Sequence, residues 1–84
     1  MIKVYSLENC IECEKTKKRM RRKGIEFIEK KIEENPGIRS FAKEQGFMKA
    51  PIVVTENESW SGFNPRRIDA LEVEVEDDDL WSKL

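Results

Sequence analysis

The chain has 84 residues, 39% of them charged and 38% hydrophobic, with a formal net charge of −1 and no histidine. That length allows one domain, which buries only a little over ~60% of its unfolded surface. The near-neutral balance supplies no global field to draw in nucleic acid or a membrane surface.

No run approaches the length of a membrane span, and Met1-Ile2-Lys3 leads straight into a strand pattern without a signal peptide. A cytosolic monomer is the expectation, and in the cytosol paired cysteines are more often catalytic than structural. In chain order, Ile2 to Ser6 alternates, with Ile2 and Val4 on one face, and reads as a strand. Next comes Asn9-Cys10-Ile11-Glu12-Cys13-Glu14, which holds the only two cysteines. A helix from about Ile11 to Lys23 follows and stops at Gly24. Its apolar line is thin: Cys13, Thr16 and Met20 at helical spacing. Seven basic residues crowd positions 15 to 23. One account is a solvated face that complements the helix dipole; the other is docking to an acidic partner. No aromatic residues interleave with these cations, which speaks against nucleic acid.

Ile25 to Ile32, with Phe27 in its apolar part, is a second strand. Strand, helix and strand in about thirty residues make a βαβ unit with parallel strands. Asn35-Pro36 reads as a cap with proline at the first helical position; Ile38, Phe41 and Ala42 then share a face, and Gly46 ends the helix. Phe47 and Met48 fall in a loop. Ala50 to Thr55 is a third strand led by Pro51, Glu56-Asn57-Glu58 a turn, and Ser59-Trp60-Ser61 a short fourth strand, together a hairpin. Asn64-Pro65 starts a third helix through Ile68 and Leu71. Six acids crowd positions 72 to 79; such a run repels itself and reads as a tail. The organisation is a domain over 1–72 and an acidic tail over 73–84, with Trp81 expected to dock on the domain while the acids pair with the basic helix.

A helix beginning at about Ile11 puts Cys10 at its mouth and Cys13 in the first turn on the same face. Unpartnered first-turn amides and the dipole favour a thiolate on Cys10, and the thiolate is the attacking species. Cys13 is near enough to resolve a mixed disulfide. Glu8, Glu12 and Glu14 oppose the thiolate, while Lys15 and Lys17 support it. Other readings of the pair are buried small hydrophobes, half of a metal or cluster site completed by a second chain, or a structural disulfide, which would close only a tiny loop.

Four pieces carry a resemblance: Cys10-Ile11-Glu12-Cys13; Gly46 to Val53 through Ala50-Pro51; Trp60-Ser61-Gly62-Phe63; and Pro65-Arg66-Arg67-Ile68. With the order βαβ, helix, hairpin, helix, residues 1 to about 71 resemble the NrdH-redoxins, in the glutaredoxin branch of the thioredoxin-like superfamily. The resemblance implies an α/β fold of three layers, a four-stranded mixed sheet with three helices, and a cis Ala50-Pro51 peptide beside the active cysteines. It also implies a dithiol-disulfide oxidoreductase that supplies electrons to ribonucleotide reductase and is itself reduced by thioredoxin reductase. The nucleophile would be Cys10 and the resolver Cys13, with no metal and no bound cofactor beyond the redox-active Cys10–Cys13 disulfide. Partner contacts would come from Ile11, Glu12, Ala50, Pro51, Trp60, Ser61, Gly62 and Phe63. Trp60 and Phe63 also suit the core, or, for Phe63, an exposed apolar rim around the cysteines.

Glutaredoxins hold glutathione with a Gly-Gly-x-Asp-like segment where this chain has Trp60-Ser61-Gly62-Phe63-Asn64. They often carry a lysine before the first cysteine, where this chain has Ser6-Leu7-Glu8-Asn9; an anionic ligand such as glutathione should bind less well without that cation. Glu12 stands where NrdH-redoxins usually have a neutral glutamine. The rival readings are a glutathione-dependent glutaredoxin and a redox-sensing or metal-bridging interaction module without turnover.

Overall fold

The computed structural model describes residues 2–71. The elements are β1 (Lys3–Ser6), α1 (Ile11–Arg22), β2 (Ile28–Lys31), a single 3-10 turn (Ile32–Glu34), α2 (Pro36–Gln45), β3 (Ile52–Val54) and β4 (Ser59–Ser61). A third helix, α3, runs over 65–71. The strands form one mixed sheet in the order β2-β1-β3-β4. Strand β1 is parallel to β2, with Lys3 opposite Ile28, and antiparallel to β3, with Val4 opposite Val53. The hairpin places Val53 opposite Trp60.

Side chains alternate across a strand, so the sheet feeds two cores. On one face Val4, Val53 and Trp60 meet Met20 of α1, Ile25 and Ile68 of α3. On the other, Ile52 packs with Ile32 and with Ile38 of α2, flanked by Tyr5, Phe41 and Ala42. The result is three layers: α1 and α3, the sheet, and α2. Met20 and Ile68 are fully buried, each stabilising the fold by about 1.5–3 kcal/mol relative to an exposed side chain.

The element order follows the sequence reading; the edges do not always. Strand β2 begins at Ile28, not Ile25. Ile25 turns into the core at 7% exposure, and its N–H donates to the Met20 carbonyl at 2.9 Å. It closes the end of α1 and adds nothing to the ladder. Asn35 occupies the cap position of α2 without capping it; its amide donates back to the Lys31 carbonyl at 2.7 Å. Asn64 does cap: its Oδ1 accepts the Arg67 N–H at 3.3 Å. Gly46 ends α2 in the left-handed conformation, φ 74°.

The basic face of α1 is partly used up inside the fold. Lys17 is buried; its Nζ donates to Glu29 Oε2 at 2.7 Å and lies 2.8 Å from Glu14 Oε2. Glu29 Oε2 also accepts the Ser6 hydroxyl at 2.8 Å. The ammonium of Lys17 and then the Ser6 hydroxyl hold the Glu29 carboxyl below its ordinary range, and Glu14 and Glu29 raise Lys17. Arg19 grips Asp69 in bidentate fashion at 3.0 and 2.8 Å, with Lys23 Nζ at 3.5 Å, which ties α1 to α3. The acidic run from Glu72 and the expected docking of Trp81 lie outside the described residues. Among the described residues no helix is long and apolar enough to cross a membrane.

Candidate redox site

The site begins where the chain turns from β1 into α1. Asn9 has φ 56°, a left-handed conformation that asparagine tolerates. Cys10 is the N-cap of α1, in extended conformation, and its sulfur accepts the Cys13 N–H at 3.2 Å. Its carbonyl accepts the Glu14 N–H at 3.1 Å, the first helical bond. The Cys10 sulfur therefore lies in front of amides that no earlier carbonyl can satisfy, at the positive end of the dipole. The Cα atoms of Cys10 and Cys13 are 5.2 Å apart, with the sulfurs at disulfide distance. Their exposure differs: Cys13 is fully buried, whereas Cys10 is half-buried.

Two further segments close on this corner. The Ala50-Pro51 peptide is cis, and the Ala50 carbonyl oxygen lies 3.8 Å from Cys10 Sγ. Pro51 is buried, and its carbonyl accepts the Gly62 N–H at 2.8 Å. The loop after β4 is thus tied to the start of β3. Glu12, between the two cysteines, reaches the same loop. Its Oε1 accepts the Phe63 N–H at 2.9 Å, and its Oε2 lies 3.8 Å from Lys49 Nζ. Gly62 has φ 81°, and a Cβ there would stand 3.2 Å from Glu12 Oε1 and 3.4 Å from Lys49 Cδ. The backbone conformation favours glycine, and a Cβ would oblige the Glu12 carboxylate to give way by a few tenths of an ångström.

Of the residues picked out from sequence, Cys10, Cys13, Glu12, Ala50, Pro51, Gly62 and Phe63 converge. Ser61 and Phe63 are half-buried. Trp60 is in the core at 4% exposure, with the Arg67 guanidinium 5.7 Å from its ring centroid. Its buried indole N–H has no partner among the described residues. Ile11, beside Cys10, is 74% exposed, and exposed Leu7 and Met48 line a groove with Ala50. Lys17, which was expected to support the thiolate, instead faces Glu14 and Glu29. Sequence reasoning missed Lys49 as the cation facing Glu12, and Asn9 as the turn. The only hints were an acidic residue inside the cysteine motif and an asparagine directly before it. Among the described residues no three Cys, Asp or Glu side chains gather as a metal-holding cluster.

Comparison with known proteins bears on the chain's family. The family model "Glutaredoxin" matches residues 2–60. The glutaredoxin-like protein NrdH of Salmonella typhimurium is 36% identical over 70 residues, covering 83% of this chain and 86% of the relative. That of Lactococcus lactis subsp. cremoris is 35% identical over 71 residues, covering 84% and 99%. The solved structure of the Escherichia coli NrdH-redoxin, a glutaredoxin-like protein described by its thioredoxin-like activity profile, superposes with a TM-score of 0.78. It is 33% identical and covers 83% of this chain and 92% of the other.

Proposed function

The chain belongs to the glutaredoxin family as one of its NrdH-type thiol-disulfide oxidoreductases, and from that premise we propose a cycle and its partners. Cys10 is the entry sulfur and Cys13 the resolver. The observation that carries this is the asymmetry of the pair: Cys10 caps α1 and reaches the surface, while Cys13 is fully buried and cannot meet a foreign disulfide.

In the reduced protein, the Cys10 thiolate attacks one sulfur of a substrate disulfide. A Cys10–substrate disulfide forms, and the other substrate sulfur leaves as a thiolate that takes up a proton. Cys13, deprotonated, then attacks the Cys10 sulfur, which frees the second substrate thiol and forms the Cys10–Cys13 disulfide. Two electrons pass from the protein dithiol to the substrate. The Cys13 amide steadies the Cys10 thiolate before it attacks. Ala50, Pro51, Gly62, Phe63 and exposed Ile11 frame the approach of the substrate; Ser61 and Trp60 back that frame from the last strand. Glu12 holds the frame together from inside the cysteine motif.

The acceptor in this proposal is a ribonucleotide reductase and the reductant a thioredoxin reductase, with the protein working as a cytosolic monomer. The family resemblance of the Trp60-to-Phe63 segment supports that choice.

The test has two arms. Cys13→Ser should accumulate a covalent Cys10–substrate adduct by mass spectrometry, and Cys10→Ser should form none; an adduct through Cys13 would reverse the roles. The oxidised protein should be turned over by NADPH with thioredoxin reductase and not by NADPH with glutathione reductase and glutathione. Turnover in the glutathione system alone would make it a glutathione-dependent glutaredoxin.

A further inference from the structure

We propose that the surface beside Cys10 receives an acidic, extended polypeptide segment, so that preferred substrates carry aspartate or glutamate next to the disulfide that is attacked. This rests on the reading of Cys10 as the entry sulfur and adds the chemistry of what is brought to it. A groove of about 520 Å³ runs from Asn9, Cys10, Ile11 and Glu14 to Lys15, Lys18 and Arg21 of α1. The reactive sulfur and a row of cations therefore share one concave surface.

These cations differ from their neighbours on the helix. Lys17 is held by Glu14 and Glu29, and Arg19 and Lys23 by Asp69. Lys15 and Lys18 form no ion pair among the described residues and are exposed. Arg21 lies over the Phe27 ring at 5.6 Å, which orients the guanidinium without neutralising it. The single acid of the lining, Glu14, is already paired with Lys17 at 2.8 Å. The groove is thus positive, because Lys15, Lys18 and Arg21 line it while its one acid is paired with Lys17.

Lys15, Lys18 and Arg21 recur every three residues, so the row spans about 9 Å of helix. That matches about three residues of extended chain. A polypeptide is favoured over nucleic acid because the groove ends at a sulfur whose partner must be a disulfide, and because its lining offers no aromatic face for a base.

The experiment uses the full chain in its reduced form. Two short peptide disulfides, identical except for three aspartates or three glutamines beside the cystine, are reduced under pre-steady-state conditions. Each rate is divided by the rate with a small neutral disulfide, which reports dithiol reactivity alone. The aspartate peptide should react on the order of tenfold faster at low ionic strength, as electrostatic steering allows, and the advantage should fade as salt is raised. Lys15→Gln/Lys18→Gln should reduce the advantage to about twofold, whereas Arg39→Gln/Lys43→Gln on α2 should keep it. Equal rates for the two peptides in the unmodified protein overturn the proposal; a groove already filled by the chain's own acids at 72–79 would read that way. An advantage that survives in Lys15→Gln/Lys18→Gln also overturns it. Failure to reduce even the neutral disulfide would sink the dithiol cycle itself, a separate result.

Discussion

Glu12 offers the sharpest perturbation. Its carboxylate does two things at once: it accepts the Phe63 N–H at 2.9 Å, and it carries a negative charge on the segment that joins the two cysteines. Glu12→Ala removes both, whereas Glu12→Gln keeps an acceptor and removes only the charge. A hydrogen bond to a charged group contributes about 1.5–3 kcal/mol, discounted here because the side chain is 41% exposed. The Lys49 pairing, at 3.8 Å and with Lys49 69% exposed, adds no more than about 0.2–1 kcal/mol. Glu12→Ala should therefore destabilise the oxidised protein by about 1–2 kcal/mol, a fall in Tm of roughly 5–15 °C for a domain this small. Glu12→Gln should cost less than about 1 kcal/mol. The redox effect separates the two roles further. An anion beside a nascent thiolate disfavours the reduced state, so removing it stabilises that state and raises the reduction potential. One partly screened charge is worth about 0.5–1 kcal/mol, which is about 10–20 mV for a two-electron couple. Thermal unfolding and equilibration against a glutathione buffer measure the two effects. Wild-type unfolding in Glu12→Ala, or a potential in Glu12→Gln that stays put or falls, would refute this account.

Gly62→Ala should cost more than Gly46→Ala. Both glycines have positive φ, but nothing lies within 4 Å of a Cβ at Gly46, whereas one at Gly62 meets Glu12 Oε1 at 3.2 Å. Urea unfolding should give about 1–2 kcal/mol for Gly46→Ala, and about 1 kcal/mol more for Gly62→Ala as the Glu12 carboxylate is displaced; equal losses would show that the close approach is not binding. Glu29→Gln tests the ion pair under α1. The Glu29 carboxyl is held below its ordinary 4.5 by Lys17, so its stabilisation is present above that pH and is lost as pH falls through the lowered folded value. The variant should be less stable at pH 7 by under about 1 kcal/mol, since the Glu29 side chain is 39% exposed. Its acid limb should be shallower below about pH 4.5 but not flat, because Arg19 also holds Asp69 low; parallel stability curves for the two proteins would contradict this.

Much of the fold was legible because local signals agreed with one another. Alternation at Ile2 to Ser6, the spacing of Cys13, Thr16 and Met20, and the glycines after each of the first two helices all point to the observed order. Errors fell where long-range packing decides. Nothing local distinguishes Ile25 as a plug for the end of α1 from Ile25 as the start of β2. Asn35 has the right identity for a cap, yet the 3-10 turn before it offers the Lys31 carbonyl, and its amide goes there. In the site, the two cysteines and Pro51 could be read from type and spacing. The partnerships of Glu12 with Phe63 and Lys49 could not, because they join residues far apart in sequence. The uneven neutralisation of the basic helix was hidden for the same reason: Glu29 and Asp69 lie 12 and 50 residues from the cations they bind.

The corner that surrounds the sulfurs is assembled from three remote stretches, 10–13, 49–51 and 62–63. An excised loop bearing Cys10 and Cys13 would hold the same dithiol without the Ala50 carbonyl or the Phe63 amide. Closing a thermodynamic box then links two quantities that are usually measured apart. Any gap between the potential of the native domain and that of its denatured chain must reappear, at about 1.4 kcal/mol per 30 mV, as a difference in folding free energy between the oxidised and reduced proteins. Each electron pair delivered therefore changes how firmly the whole domain is held together, and a reductant or acceptor acts on its stability as a bound ligand would.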